Sequence, residues 1–162
     1  MPLKTLGYAF VIFLHDLFTV VWMGGLIVTV IATIPALKEV LSPGPTTKKV
    51  MAAFQARQRV WVYISMAGLV ITGLLLGRRS AEFSGLFSFI NLYSIVLSIK
   101  HILVILMIGL TLYRSILLDP NRKGLTIPKE KWSFKILLIN AGLAVAVLML
   151  SAMTAAISGS GG

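Results

Sequence analysis

His15-Asp16-Leu17-Phe18-Thr19-Val20-Val21-Trp22-Met23-Gly24-Gly25 places a histidine and an aspartate inside an apolar run that extends from Leu6 to Leu37. A run of that length exceeds the roughly 20 residues a helix needs to cross a bilayer. Ionisable side chains at such depth are expensive to bury and mark a partner or a function. One other place in the chain is comparable: Lys100-His101, inside a second long apolar run. The chain has two histidines, and each lies in one of these two places. The two sites are expected to meet.

Composition supports the same class. Of 162 residues, 57% are hydrophobic and 12% charged, more apolar surface than a soluble domain of this size can hide. The expectation is one compact integral membrane domain spanning residues 1–162, all-α, with four transmembrane helices in an antiparallel bundle. In a soluble protein the net charge of +10 would suggest nucleic acid. In a membrane protein it fits basic loops facing anionic lipid, so no nucleic-acid partner is expected. The chain has no cysteine, which excludes disulfides and thiolate-held metals or clusters. The first apolar run is too long for a signal peptide and is expected to be retained.

Helix one is expected over about 6–37, with Pro35 near its end, and it must tilt or protrude. Ser42-Pro43-Gly44-Pro45 signals a turn, with Thr46 or Thr47 as a cap for the second helix. Helix two is expected over about 50–77, starting as a basic amphipathic segment and stopped by Arg78-Arg79. Residues 80–90, with Phe83, Leu86, Phe87 and Phe89 around Gly85, read as a segment lying in the interface. Helix three is expected over about 91–118 and helix four over about 132–157. The tail Ser158-Gly159-Ser160-Gly161-Gly162 reads as irregular. Eleven basic residues flank the two loops at 38–50 and 119–131, against Lys4, Arg78 and Arg79 on the other side. Both basic loops are therefore expected in the cytoplasm and both termini outside, in a multi-pass plasma membrane protein.

This topology puts His15 nine residues in from Leu6 and His101 ten residues in from Asn91. At 1.5 Å per residue both lie roughly 13–15 Å below the outer boundary. Two neutral imidazoles facing each other across a bundle can hold one haem iron from both sides. The plainer reading is two unrelated histidines, each hydrogen-bonded to a carbonyl or hydroxyl. Asp16 and Lys100, each next to a histidine in sequence, are candidates for a buried ion pair, for hydrogen bonds to the ligands, or for a proton relay. Met66 and Met149 fall near the same depth, and thioether with imidazole suits Cu(I), although Met is also a common core filler. Trp22, seven residues after His15, either walls a cofactor pocket or packs the core. Gly24-Gly25, Gly68 and Gly73 allow close helix approach within the bundle or in a homo-oligomer. Arg78 and Arg79 can pair with haem propionates or simply end helix two.

His15 with Trp22-Met23-Gly24-Gly25-Leu26, then Lys100-His101 and a long apolar tail, resembles the membrane domain of the CopD copper-resistance family. The pattern is also similar to HemJ-type membrane proteins. The resemblance covers most of the four-helix core. It implies copper uptake or resistance on the CopD side, and haem b with protoporphyrinogen oxidation on the HemJ side. It implies His15 as the helix-one ligand and Lys100 or His101 as the functional residue of helix three. Ile34-Pro35-Ala36-Leu37-Lys38 departs from the basic-aromatic stretch of the HemJ pattern, and the extra spans of full-length CopD proteins are missing.

The sequence thus reads first as a haem-b protein for electron transfer, redox chemistry or haem handling, with a quinone or another redox protein as partner. A CopD-type copper protein is the alternative, and a cofactor-free membrane scaffold is a third. An oxidoreductase activity is left open. Nothing in the chain suggests a catalytic triad, a phosphate-binding loop or a nucleotide site.

Overall fold

The computed structural model describes residues 3–42, 44–77, 89, 91–117 and 127–159. It is an all-α membrane bundle. Four helices are long and apolar enough to cross a bilayer. The first, α1, runs over Leu3–Val40. The others are α2 (Pro45–Gly77), α3 (Leu92–Leu117) and α4 (Ile127–Gly159).

The helix ends reflect local chemistry. Leu41 turns extended (φ −111°, ψ 122°), which stops α1 just before Ser42. Pro45 then opens α2, where a missing N–H costs nothing. Lys48 N–H bonds the Gly44 carbonyl at 3.2 Å. Thr47, expected as a cap, instead donates to the Ser42 carbonyl at 2.7 Å. Asn91 caps α3: its Oδ1 accepts the Ser94 N–H at 2.7 Å. The helices outrun the expected boundaries at most ends. α1 begins at Leu3 rather than Leu6 and reaches Val40, and α4 begins at Ile127 rather than Trp132. α4 also runs on through Ser158 and Gly159, into the tail expected to be irregular. Periodicity marks where an apolar face stops, and a helix continues past that point until its backbone meets a breaker. The interfacial segment expected at 80–90, and Arg78 and Arg79, lie outside the described residues apart from Phe89.

α1 is one helix with two π-helical stretches, Val20–Gly24 and Thr29–Thr33. Each has a local cause. The Thr19 hydroxyl bonds the His15 carbonyl at 2.8 Å, competing with the backbone just before the first stretch. Pro35 lacks an N–H and crowds the carbonyl four residues earlier, and the second stretch sits directly before it.

Cross-helix bonds fix the pairing as antiparallel. His15 meets Thr72, and deeper along α1 Thr29 meets Gln58. Asn140 meets Thr111, and Ser133 meets Arg114. Lys48 and Glu130 pair at 3.0 Å across the ends of α2 and α4. The N-terminal half of α1, Leu3–Thr19, packs closely on α2, and α3 packs closely on α4. The two pairs converge where the middle of α1, from Val20 to Thr33, also meets α4. An apolar cluster fills that waist: Trp22, Met23, Leu26, Val62, Met66, Leu69, Met107, Leu137, Ala144 and Val147. The outward faces carry many exposed Leu, Ile, Val and Phe side chains, as lipid-facing surfaces do.

Close α1–α2 approach depends on glycine at one point. A Cβ on Gly68 would collide with the Phe18 ring, whereas one on Gly73 would only touch His15 Cε1 at 3.6 Å.

Candidate functional site

His15 lies in the N-terminal half of α1, on the N-terminal side of the waist, and is half-buried. Its Nδ1 is 2.9 Å from Thr72 Oγ1 on α2. The Thr72 hydroxyl donates its own hydrogen to the Gly68 carbonyl at 2.7 Å. In the arrangement where that hydrogen goes to Gly68, the threonine oxygen accepts from the imidazole, Nδ1 of His15 carries the proton and Nε2 keeps a bare lone pair.

His101, half-buried on α3, reaches the same state by a different bond. Its Nδ1 is 2.8 Å from the Leu97 carbonyl, one turn earlier on its own helix. A carbonyl has no proton to give, so Nδ1–H donates and Nε2 is again bare. In that arrangement both rings hold the tautomer that metal-ligating histidines take, with the far nitrogen anchored to protein. They come from the two separate helix pairs. His15 is within electrostatic reach of His101, Lys100 and Asp16.

The other expected residues divide. Lys100 is half-buried beside this layer and within electrostatic reach of Asp16. Asp16 itself stands on the exposed side of α1. No ion pair or hydrogen bond joins the two among the described residues, where Lys48–Glu130 is the one salt bridge. The expected buried Asp16–Lys100 pair is therefore not formed, and neither residue hydrogen-bonds a histidine. A helix turns 100° per residue, so immediate neighbours do not share a face, and the anchoring falls to Thr72 and the Leu97 carbonyl instead.

Trp22 is wholly buried in the waist, in the packing role. Its indole N–H has no partner, nor does the buried Ser65 hydroxyl. Met66 is also in the waist, six residues from Thr72 along α2, roughly 9 Å deeper than the His15 level. Met149 is 67% exposed and points out of the bundle. The two methionines expected at one depth with the histidines are thus not brought together with them. Arg78 and Arg79 lie outside the described residues.

Among the described residues no group of three or more His, Cys, Asp or Glu could hold a metal ion. A haem asks less of the protein, since the porphyrin supplies four nitrogens and the chain only the axial pair. Thr72 was missed in the sequence, although a hydroxyl inside an otherwise apolar stretch of helix two was a usable signal. The Leu97 carbonyl has no sequence signature.

Comparison with protein-family models gives no match to this chain, and neither do curated proteins or solved structures.

The Thr72 bond is directly testable. Thr72→Val keeps the shape but leaves the His15 Nδ1–H without an acceptor, and should cost about 1–3 kcal/mol. Thr72→Ser keeps the hydroxyl and should recover most of the loss. Unfolding in detergent, monitored by helicity, measures both; equal losses would show that the hydroxyl is not what His15 uses.

Proposed function

We propose that the protein binds haem b between α1 and α3, with His15 and His101 as the axial ligands, and serves electron transfer, redox chemistry or haem handling in the membrane. One observation carries the reading: both histidines are held through Nδ1, His15 at Thr72 Oγ1 and His101 at the Leu97 carbonyl, and they sit on opposite helix pairs within electrostatic reach of each other. When bound, haem supplies a one-electron centre. The chain's own residues orient it. Thr72 and the Leu97 carbonyl fix the two rings and make Nε2 a stronger donor. The apolar waist beneath them, from Trp22 to Val147, keeps water from crossing the bundle. Lys100 adds an ammonium or amine donor beside the site, suited to an anionic substituent of the ligand.

This reading agrees with the CopD-like and HemJ-like motif of His15, Trp22–Leu26 and Lys100-His101. The copper alternative has less support, because Met149 faces away from the interior. A quinone or a second redox protein is the expected electron partner. Protoporphyrinogen oxidation stays within the reading as one use of the centre. The loop charges orient the bundle with its basic ends in the cytoplasm of a cell bounded by the plasma membrane. Labelling of a cysteine placed at Gly44 from the outside would overturn that orientation.

The purified protein, expressed with haem available, should show a low-spin b-type spectrum that sharpens on reduction. His15→Ala and His101→Ala should each abolish the low-spin signature, while Met66→Ala and Met149→Ala leave it in place. A colourless protein carrying about one copper per chain would favour the CopD-type alternative. Neither chromophore nor metal would favour the scaffold.

A further inference from the structure

A second polar site lies at the opposite end of the bundle from the histidines. A partly open cavity of about 50 Å³ is enclosed by all four helices. At about 10–15 Å³ per water, it has room for about three to five waters, and its open side lets a larger group extend out of it. Its polar wall is built from Gln55, Arg59, Thr111, Arg114, Ser115 and Asn140. Leucine and valine side chains of α1, α2 and α4 complete it. On α2 it begins at Val62, ten residues from Thr72, or roughly 15 Å along the helix from the His15 level.

Several hydrogen bonds of this wall are defined, and Arg59 and Arg114 both have partners of their own. Arg114 is positioned by its Nε, which donates to Ser133 Oγ at 3.2 Å. The Asn140 amide nitrogen donates to Thr111 Oγ1 at 2.7 Å, which leaves the threonine hydrogen to point elsewhere. Ser115 Oγ accepts from Tyr63 and likewise retains its own hydrogen. Against these donors stands one orphan acceptor: Asn140 Oδ1, on a residue only 3% exposed, has no donor at all. Leaving such an oxygen unmet inside a membrane is costly, and a ligand or water with an O–H removes the cost.

We propose that this cavity binds the phosphate of a hydroxyl-bearing anionic group. The guanidinium groups of Arg59 and Arg114 take the phosphate oxygens, the hydroxyls of Thr111 and Ser115 add donors, and a ligand O–H satisfies Asn140 Oδ1. Guanidinium matches phosphate geometry, and basic pockets between helices near a membrane surface suit anionic headgroups. A phosphatidylglycerol headgroup carries both features. A free glycerol phosphate carries the same chemistry from the aqueous side. Phosphatidylcholine has the phosphate but neither the net charge nor a donor.

The test is titration of the purified full-length chain in detergent with short-chain phosphatidylglycerol, phosphatidylcholine and glycerol phosphate, read by native mass spectrometry. Phosphatidylglycerol should bind at least about tenfold tighter than phosphatidylcholine. Arg59→Gln and Asn140→Leu should each weaken it by about tenfold or more. Lys49→Gln, exposed and outside the cavity, should change it less than about twofold. Glycerol phosphate binding with the same sensitivity to both variants supports the site and makes its ligand a free phosphate ester. Helicity and gel filtration check that each variant folds, and if Asn140→Leu does not, Arg59→Gln decides. Phosphatidylglycerol binding that survives Arg59→Gln, or that falls equally with Lys49→Gln, overturns the site and leaves only attraction of a basic protein for anionic lipid.

Discussion

The bond from His15 to Thr72 is the constraint on which the rest of the structure turns. It ties α1 to α2 at the level where ionisable groups are most expensive to bury. It also sets the chemistry of the ring: where the threonine hydrogen goes to Gly68, the threonine oxygen accepts from Nδ1. The packing around it serves the same contact. Gly68 makes room for Phe18 beside it. His101 reaches the same protonation state with no help from another helix, through the carbonyl one turn back.

Below this layer the bundle changes character twice. The two helix pairs converge on an apolar waist built around Trp22, Met66 and Met107, which has no polar contact with the histidines above it. Beyond the waist the interior becomes polar again. Gln58 bonds both the Gly25 carbonyl and Thr29 Oγ1, and Asn140 bonds Thr111. Gly25 is what lets Gln58 in, since a Cβ there would sit 3.2 Å from its Nε2. Polar groups in a bilayer interior persist where they are paired or lie on a route for a ligand. Two polar levels are thus separated by an apolar plug, and each carries one of the two proposed sites.

Much of the architecture was legible in the sequence, and for a clear reason. Apolar runs of spanning length, Pro and Gly at 43–45, and Asn91 ahead of a hydrophobic run all act locally, so span number and order come from the chain alone. The positions of His15 and His101 were legible because so few polar residues interrupt those runs. Their surroundings were not. Linear adjacency suggested Asp16 and Lys100 as partners, while helical rotation handed that role to Thr72, which lies 57 positions away in sequence. Equal counting from a helix end placed Met149 in the interior, but depth carries no information about which way a side chain faces, and it points outward. The π-helical stretches of α1 shift facing further in a way that an ideal helical period does not anticipate.

The protonation state of the two rings is the point on which the proposed haem site rests. With only two histidines in the chain, ¹⁵N-labelled histidine gives a spectrum in which each ring nitrogen can be resolved. In the cofactor-free protein both rings should be neutral, with Nδ1 protonated and Nε2 bare, and Thr72→Val should disturb the signals of His15 alone. A proton on Nε2 of either ring would contradict this, because that ring would have turned its only free lone pair away from the space between the helices.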